Sequence, residues 1–160
     1  MATLLLWLAC LAISLPVAVL ALECAVGVAR ARGGRGGRIG PLAPPPPFAV
    51  LMPAHDEAAG IGRAVADVLA QLRPCDRLLV VADNCTDDTA AIARALGACV
   101  LERDDPLSRG KSHALKFGRR FMREDGEWNG VAVVILVDAD CSPAPGALGR
   151  LAAASAGGGG

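Results

Sequence analysis

The hydrophobic positions of this chain form short runs that alternate with longer, helically spaced segments. The short runs are rich in β-branched and leucine side chains, which is typical of buried strands, and the longer segments repeat apolar residues every three or four positions. The predicted strands cover residues 48–52, 77–82, 98–101 and 131–137, and the predicted helices cover 57–72, 86–97 and 111–122. Alternating strands and helices build right-handed βαβ units, so we predict an α/β fold with a Rossmann-like parallel sheet. The fourth strand is apolar throughout, which predicts burial on both faces.

A long uncharged segment opens the chain. Residues 2–22 contain no charged side chain, and at about 1.5 Å per residue such a helix crosses a hydrocarbon core of roughly 30 Å. Arginines follow this segment and none precedes it, which places its C-terminal side in the cytoplasm. We therefore predict a single-pass transmembrane anchor over residues 1–29, in a bacterial-type inner membrane. A cleaved signal peptide and a buried core helix are the alternatives.

The next segment, residues 30–47, is rich in arginine, glycine and proline. This composition is typical of a linker that is flexible in its first part and semi-rigid in its second. Its arginines suit anionic lipid headgroups, so membrane lipid is an expected partner. An RNA-binding tail is the alternative interpretation. Residues 48–160 are then the globular domain.

Charge, aromatic content and cysteine spacing argue against several classes of function for this chain. The formal net charge is zero and tyrosine is absent, so neither charge nor aromatic content favours a nucleic-acid partner. The six cysteines include no CxxC pair, which favours reduced thiols over disulfides or structural zinc. With two histidines, chemistry centred on imidazole has few candidates.

Polar side chains cluster directly after each predicted strand. Pro53 to Glu57 follow the first strand, Asp83 to Thr89 the second, Ser108 to Lys111 the third, and Asp138 to Asp140 the fourth. The carboxyl ends of parallel strands meet at one edge, where open α/β sheets bind ligands. We therefore predict the functional site at this edge.

The cluster after the second strand also has a structural interpretation. Thr86 is predicted to cap the second helix. Asp87 and Asp88 then fall in its first turn, where the helix dipole favours negative charge. Asp83 and Asn84 suit a turn.

Among the other polar residues, His55 is interpreted as a loop or packing residue rather than a catalyst, and Arg109 as a solvated charge. Lys111 differs, because it follows a glycine at a predicted helix start. An ammonium beside free backbone N–H groups is well placed for a diphosphate.

Asp138 and Asp140 stand two positions apart at the end of the fourth strand. In an extended segment residues i and i+2 point the same way, so the two carboxylates converge on one hard cation in that geometry. Such an ion is a natural partner for phosphate oxygens. The alternative is a polar turn with no ligand.

Four motifs in this order resemble the family 2 glycosyltransferases, which are inverting enzymes with the GT-A fold. The motifs are FAVLMPAHDEA, LLVVADNCTDDTAAIA, RGKSHAL and VVILVDADCSP, and they extend over about residues 48–150. The resemblance is to the membrane-anchored branch, similar to processive synthases, that uses nucleotide-diphospho-sugars for polysaccharides or glycolipids.

The resemblance implies a nucleoside-binding role for residues after the first two strands. Pro53, Ala54 and Glu57 would line the nucleoside pocket. Asp83 would read the edge of the base, which is most often uracil in this family. A UDP-sugar is therefore the favoured donor.

The resemblance also implies a phosphate and metal site. Lys111 would neutralise the donor diphosphate, and Asp138 would lie beside the ribose and the metal. Asp140 would coordinate Mg²⁺ or Mn²⁺ between the two phosphates. The acceptor, a glycan or a lipid, stays open.

One family feature has no match. The catalytic base of these enzymes lies well downstream of the paired acids, yet residues 141–160 contain no Asp, Glu or His. We therefore expect an incomplete GT-A domain over residues 48–160, with the base beyond the chain end. A catalytically inactive, membrane-tethered donor-binding fragment is the first alternative. A nucleotidyltransferase is a weaker one, because the loop PAHDEA after the first strand is acidic.

Overall fold

The computed structural model of the chain describes residues 44–157 together with Val19 and Glu23. The rest of the predicted anchor, most of the predicted linker and residues 158–160 lie outside the described residues, so those interpretations stay predictions. Within the described ranges, no helix combines the length and the hydropathy that a membrane crossing needs.

Four strands and four helices alternate along the described chain, which confirms the predicted α/β fold. They are β1 (Phe48–Ala54), α1 (Ile61–Leu69), β2 (Arg77–Asp83), α2 (Thr89–Ala95), β3 (Cys99–Arg103), α3 (Lys111–Glu124), β4 (Val133–Leu136) and α4 (Ala147–Gly157), with a short 3-10 helix at Gly126–Trp128. The sheet order is β3-β2-β1-β4, and every pairing is parallel. The strand order reverses between β1 and β4, which is where open α/β sheets form their ligand crevice.

β1 sends alternate side chains into two apolar layers. Phe48, Val50 and Met52 pack in the layer that contains α1 and α4, and Ala49 and Leu51 pack in the layer that contains α3. Each of these five side chains is at most 1% exposed. A slip of one residue would exchange the two layers, so this burial fixes the register of the strand.

Two helices begin later than predicted. α1 starts at Ile61 rather than at residue 57, because a turn precedes it, in which the N–H groups of Gly60 and Ile61 donate to the Glu57 carbonyl oxygen. Asp56, directly before this turn, has a positive φ of 51°. α2 starts at Thr89, so the predicted cap at Thr86 is wrong. The N–H of Thr86 instead donates to the Asp56 carboxylate at 2.6 Å, which ties the two loops together.

The prediction of a long fourth strand buried on both faces is also wrong. β4 covers only residues 133–136 and has one strand partner, β1. Ile135 faces the core, whereas Val134 is 44% exposed and Leu136 is 53% exposed. Val134 and Leu136 share one face of β4, and the described elements leave that face partly uncovered.

α3 crosses the sheet at a glycine. A Cβ atom on Gly118 would lie 2.7 Å from Leu51 Cδ1 and 2.8 Å from Val81 Cγ2, which is closer than side chains pack. Leu51 and Val81 are fully buried, so neither moves aside without disturbing the core. The missing side chain at position 118 therefore sets how closely α3 lies on β1 and β2.

A buried ion pair holds the start of the sheet. Asp76 accepts hydrogen bonds from Arg73 Nε at 2.7 Å and from the N–H of Phe48 at 3.1 Å. Arg73 also donates to the carbonyl oxygens of Pro45 and Pro46. Burial by itself raises the pKa of Asp76, but the hydrogen bonds from Arg73 and Phe48 outweigh it, so the pKa lies below its ordinary value of 3.8.

We expect Gly118→Ala to lower the free energy of unfolding of the full chain by about 1–3 kcal/mol, the usual cost of overpacking a filled core. Gly62→Ala is the matched control, because its Cβ would meet Ile92 Cγ2 at an ordinary 3.5 Å. The control should be more stable by about 0.5–1 kcal/mol through helix propensity. Urea denaturation followed by circular dichroism measures both variants, and equal stabilities would contradict the close packing of α3.

We expect Asp76→Asn to lower the free energy of unfolding at neutral pH by about 3 kcal/mol, the lower end for breaking a buried pair, because Arg73 is 36% exposed. The folded-state pKa of Asp76 is lowered, so its contribution is complete above the unfolded value near 3.8. That contribution is lost as the pH falls through the folded value.

Urea denaturation over a pH series should therefore show the gap between wild type and variant closing in acid. Asp67→Asn is the control, since this acid is 41% exposed in a surface pair and should change stability by less than about 1 kcal/mol. A gap for Asp76→Asn that stays constant into strong acid would contradict the lowered pKa.

Candidate functional site

The carboxyl ends of β1, β2 and β4 meet the start of α3 around a cavity of about 470 Å³. Every residue that the sequence assigned to the donor or the metal lines it, namely Pro53, Ala54, Glu57, Asp83, Lys111, Asp138 and Asp140. His55, Asn84, Arg109 and Gly110 lie in the same wall. The structure thus brings the predicted site residues together, while their individual roles stay predictions.

Asp138 and Asp140 leave β4 through a turn rather than along an extended strand. The N–H of Cys141 donates to the Asp138 carbonyl oxygen at 3.0 Å, and Ala139 between the two acids is buried. The acids still converge, because ligand atoms of Asp138, Asp140 and Cys141 lie within 4.8 Å of one another. Two carboxylates at this separation fit a hard divalent ion such as Mg²⁺ or Mn²⁺.

Lys111 lies beside these acids as the first residue of α3. Its ammonium donates a hydrogen bond to Asp138 Oδ1, and the two side chains are 55% and 47% exposed. Gly110 has a φ of 113°, a conformation that only glycine adopts easily, and it turns the chain into the helix. This part of the cavity therefore presents one ammonium, two carboxylates and a helix start, which together suit a phosphate-bearing ligand with a metal.

Asp83 is held by an arginine that sequence analysis did not single out. Parallel pairing places Arg103 beside Asp83, and the two side chains, 10% and 7% exposed, form an ion pair. Arg103 also donates to Asp105 Oδ2 and to the Ser108 carbonyl oxygen, both at 2.8 Å. The sequence did indicate this ion pair, because β2 ends at an acid, Asp83, and the next strand, β3, ends at a base, Arg103. The pair fixes the Asp83 carboxylate at the cavity wall.

Asp87 joins the loops that follow β1 and β2. Its carboxylate accepts hydrogen bonds from the Thr89 hydroxyl and from the N–H of Ala58, the latter at 2.9 Å. The N–H of Glu57 in turn donates to Thr89 Oγ1 at 2.8 Å. The hydrogen bond from Thr89, followed by that from Ala58, lowers the pKa of Asp87. The predicted place of Asp87 and Asp88 in the first turn of the helix is wrong, because α2 begins only after them.

His55 bridges the same two strand ends. Its Nδ1 lies 2.7 Å from the Asp83 carbonyl oxygen, and because that oxygen only accepts, Nδ1 carries the proton. The ring is 56% exposed and forms part of the cavity wall. This contact agrees with the interpretation of His55 as a loop residue that orders the strand ends.

Comparison with known proteins relates this arrangement to one family. The model of the family described as Glycosyl transferase family 2 matches residues 49–158. Among curated proteins, 4,4'-diaponeurosporenoate glycosyltransferase from Staphylococcus aureus is 37% identical over 68 residues, which is 41% of this chain. The matched segment spans only 18% of that relative's length.

Two solved structures share the fold. Glucosyl-3-phosphoglycerate synthase from Mycobacterium tuberculosis, in complex with Mn²⁺, UDP and glucosyl-3-phosphoglycerate, is 27% identical with a TM-score of 0.51, and the match covers 63% of this chain and 36% of that one. A mannosyltransferase from Pyrobaculum calidifontis, in complex with GDP-Man and Mn²⁺, is 22% identical with a TM-score of 0.64, covering 88% of this chain and 42% of that one. These likenesses confirm the predicted GT-A fold.

We expect Thr89→Val to destabilise the chain by about 1–3 kcal/mol, because it keeps the shape but leaves the Glu57 N–H without its partner and removes the hydroxyl hydrogen bond to the Asp87 carboxylate. Thr89 is fully buried. Thr86→Val is the control, since its hydroxyl is exposed and lies 3.3 Å from Asp56 Oδ1, so the change should stay within about 0.5 kcal/mol. Thermal unfolding measures both, and similar losses in the two variants would argue against a loop anchor at Thr89.

Proposed function

We infer the function from one premise: the chain belongs to glycosyl transferase family 2, whose model matches more than half of its residues, 49–158. We propose that the chain binds a nucleotide-diphospho-sugar in the cavity and takes part in transferring the sugar. One observation carries the proposal. Asp138, Asp140 and Lys111 converge on a cavity that the buried Asp83 also lines, which combines a metal-ligating pair, a phosphate-binding cation and a fixed hydrogen-bond acceptor.

The donor is a UDP-sugar in this proposal. Asp83 accepts a hydrogen bond from the base, since Arg103 holds its carboxylate in place. Pro53, Ala54 and Glu57 line the nucleoside part of the cavity, and Lys111 neutralises the diphosphate. The Mycobacterium tuberculosis synthase, which binds UDP and Mn²⁺, supports this choice of nucleotide.

Asp138 and Asp140 would hold Mg²⁺ or Mn²⁺. The residues fit the ion, because their carboxylates converge in an exposed turn and Asp138 already accepts a cation, the Lys111 ammonium. When bound, a divalent ion stabilises the negative charge that develops on the leaving diphosphate. Lys111 shares its ammonium between Asp138 and a donor phosphate oxygen, and Gly110 lets the backbone approach that phosphate closely.

We extend the proposal to stereochemistry and location. The transfer inverts the anomeric centre, and the product belongs to a polysaccharide or a glycolipid. The chain is anchored by residues 1–29, with its donor-binding domain on the cytoplasmic side of the membrane. The order of the four motifs supports the first part, and the apolar segment followed by arginines supports the second.

We expect Asp140→Asn to weaken UDP binding in the presence of Mn²⁺ by at least roughly tenfold. Removing a residue that only supports a metal ligand already lowers metal affinity by about this factor, and Asp140 is itself the proposed ligand. Calorimetric titration of UDP into the full chain in detergent, with and without Mn²⁺, measures the effect. Glu124→Gln is the control, since this exposed acid pairs with Arg120 on α3 and should bind UDP like the wild type.

The two parts of the proposal fail differently in this titration. Unchanged Mn²⁺-dependent affinity in Asp140→Asn would overturn the metal assignment while leaving nucleotide binding intact. No UDP binding by folded wild-type chain, with or without Mn²⁺, would overturn the donor-binding function itself.

A further inference from the structure

A second group of metal-ligating side chains lies at the junction of β1 and β2. His55 and Asp56 follow β1, Cys85 follows β2, and ligand atoms of the three lie within 4.8 Å of one another. Asp138 and Asp140 follow β4, on the opposite side of β1. The proposed donor chemistry uses neither the Asp56 carboxylate nor the Cys85 thiol.

The His55 ring is oriented as a metal ligand requires. Nδ1 donates a hydrogen bond to the Asp83 carbonyl oxygen at 2.7 Å, so in the neutral ring Nε2 carries the lone pair. Nε2 lies 3.9 Å from Asp56 Oδ2. Histidines that bind metals almost always donate their other ring N–H to a carbonyl or carboxylate in this way, which fixes the tautomer and the ring plane.

The other two side chains are also positioned by outer contacts. The N–H of Thr86 donates to Asp56 Oδ1 at 2.6 Å, and Asp56 Oδ2, which lies on the side of the His55 ring, also accepts from the Thr86 hydroxyl at 3.4 Å. Cys85 Sγ lies 3.5 Å from the N–H of Asp56 and 3.6 Å from the Ala54 carbonyl oxygen. Because the His55 and Asp56 side chains are 56% and 38% exposed, an ion can reach the group from solvent.

We propose that His55, Asp56 and Cys85 form a binding site for a transition-metal ion of the zinc class. Imidazole nitrogen, carboxylate oxygen and thiolate sulfur are the ligands that Zn²⁺ prefers, whereas Mg²⁺ prefers oxygen alone. Three protein ligands leave a fourth tetrahedral position for water. On binding, the S–H bond of Cys85 breaks, a sulfur–metal bond forms, and the proton passes to solvent, because a coordinated thiol is deprotonated by the ion.

An ion in this site links the loops that follow β1 and β2 through direct bonds. His55 lines the cavity and holds the Asp83 backbone, so the ion adds positive charge beside the residue that the proposed function assigns to the base. The site itself follows from the ligand geometry and does not depend on the donor being a nucleotide-sugar.

Co²⁺ is the probe for the test, because it replaces Zn²⁺ and reports thiolate ligation by a charge-transfer absorption band. The full chain in detergent is titrated with Co²⁺ in the presence of excess Mg²⁺, which occupies oxygen-only sites. We expect the band to saturate at about one ion per chain, to disappear on addition of Zn²⁺, and to be absent in Cys85→Ser. Cys75→Ser, Cys99→Ser and Cys141→Ser are the matched controls, since these are free thiols elsewhere, and each should keep the band.

His55→Ala provides a second variant that retains the thiol. It should weaken Co²⁺ binding by at least roughly tenfold, with folding of every variant checked by circular dichroism. The proposal is overturned by any of three results: no band in folded wild type, a band that survives in Cys85→Ser, or a band that is lost in Cys141→Ser. Failure of UDP to bind in the separate titration leaves this outcome unaffected.

Discussion

The structure depends on β1, which pairs in parallel with β2 on one side and with β4 on the other. Its alternate side chains fill both apolar layers, so its register cannot slip without exposing core residues. That register sets Ala54 beside Ala82 and Leu51 beside Leu136. It therefore decides which residues leave the sheet together at the carboxyl edge. The cavity is a consequence of core packing, because the loops after β1, β2 and β4 meet only through this pairing.

Four carboxylates line the cavity, those of Glu57, Asp83, Asp138 and Asp140, and two of them are paired with a cation. Asp83 is paired with Arg103 and Asp138 with Lys111. Within the described part of the chain, Asp140 has no such partner, although it lies close to Asp138. A carboxylate beside another carboxylate is stabilised by an added cation more than by any neutral ligand. This imbalance is the physical reason for placing the proposed Mg²⁺ or Mn²⁺ after β4 rather than beside Asp83.

The strands are predictable from sequence because short apolar runs form them. The position of the site is predictable as well, because the carboxyl ends of parallel strands meet at one edge of the sheet. The features that sequence analysis misjudged depend on neighbours that are distant along the chain. Leu136 is exposed because the described elements leave its face of β4 partly uncovered, which its apolar composition does not encode. Arg103 is 20 residues from Asp83 and meets it only once β2 and β3 pair. The left-handed turn at Asp56 depends on contacts with the next loop.

Two different candidate ligand sets therefore flank β1, with two carboxylates and the Cys141 thiol after β4 and an imidazole, a carboxylate and a thiol between β1 and β2. The two proposals assign a hard ion to the carboxylates after β4 and a zinc-class ion to the set that contains the imidazole. His55 from one set and Asp138 from the other line the same cavity, so a ligand that fills it contacts both. Thermodynamic linkage requires that an ion which changes the affinity of that ligand has its own affinity changed by the same factor. Parallel pairing around β1 thus places both proposed metal sites beside one cavity.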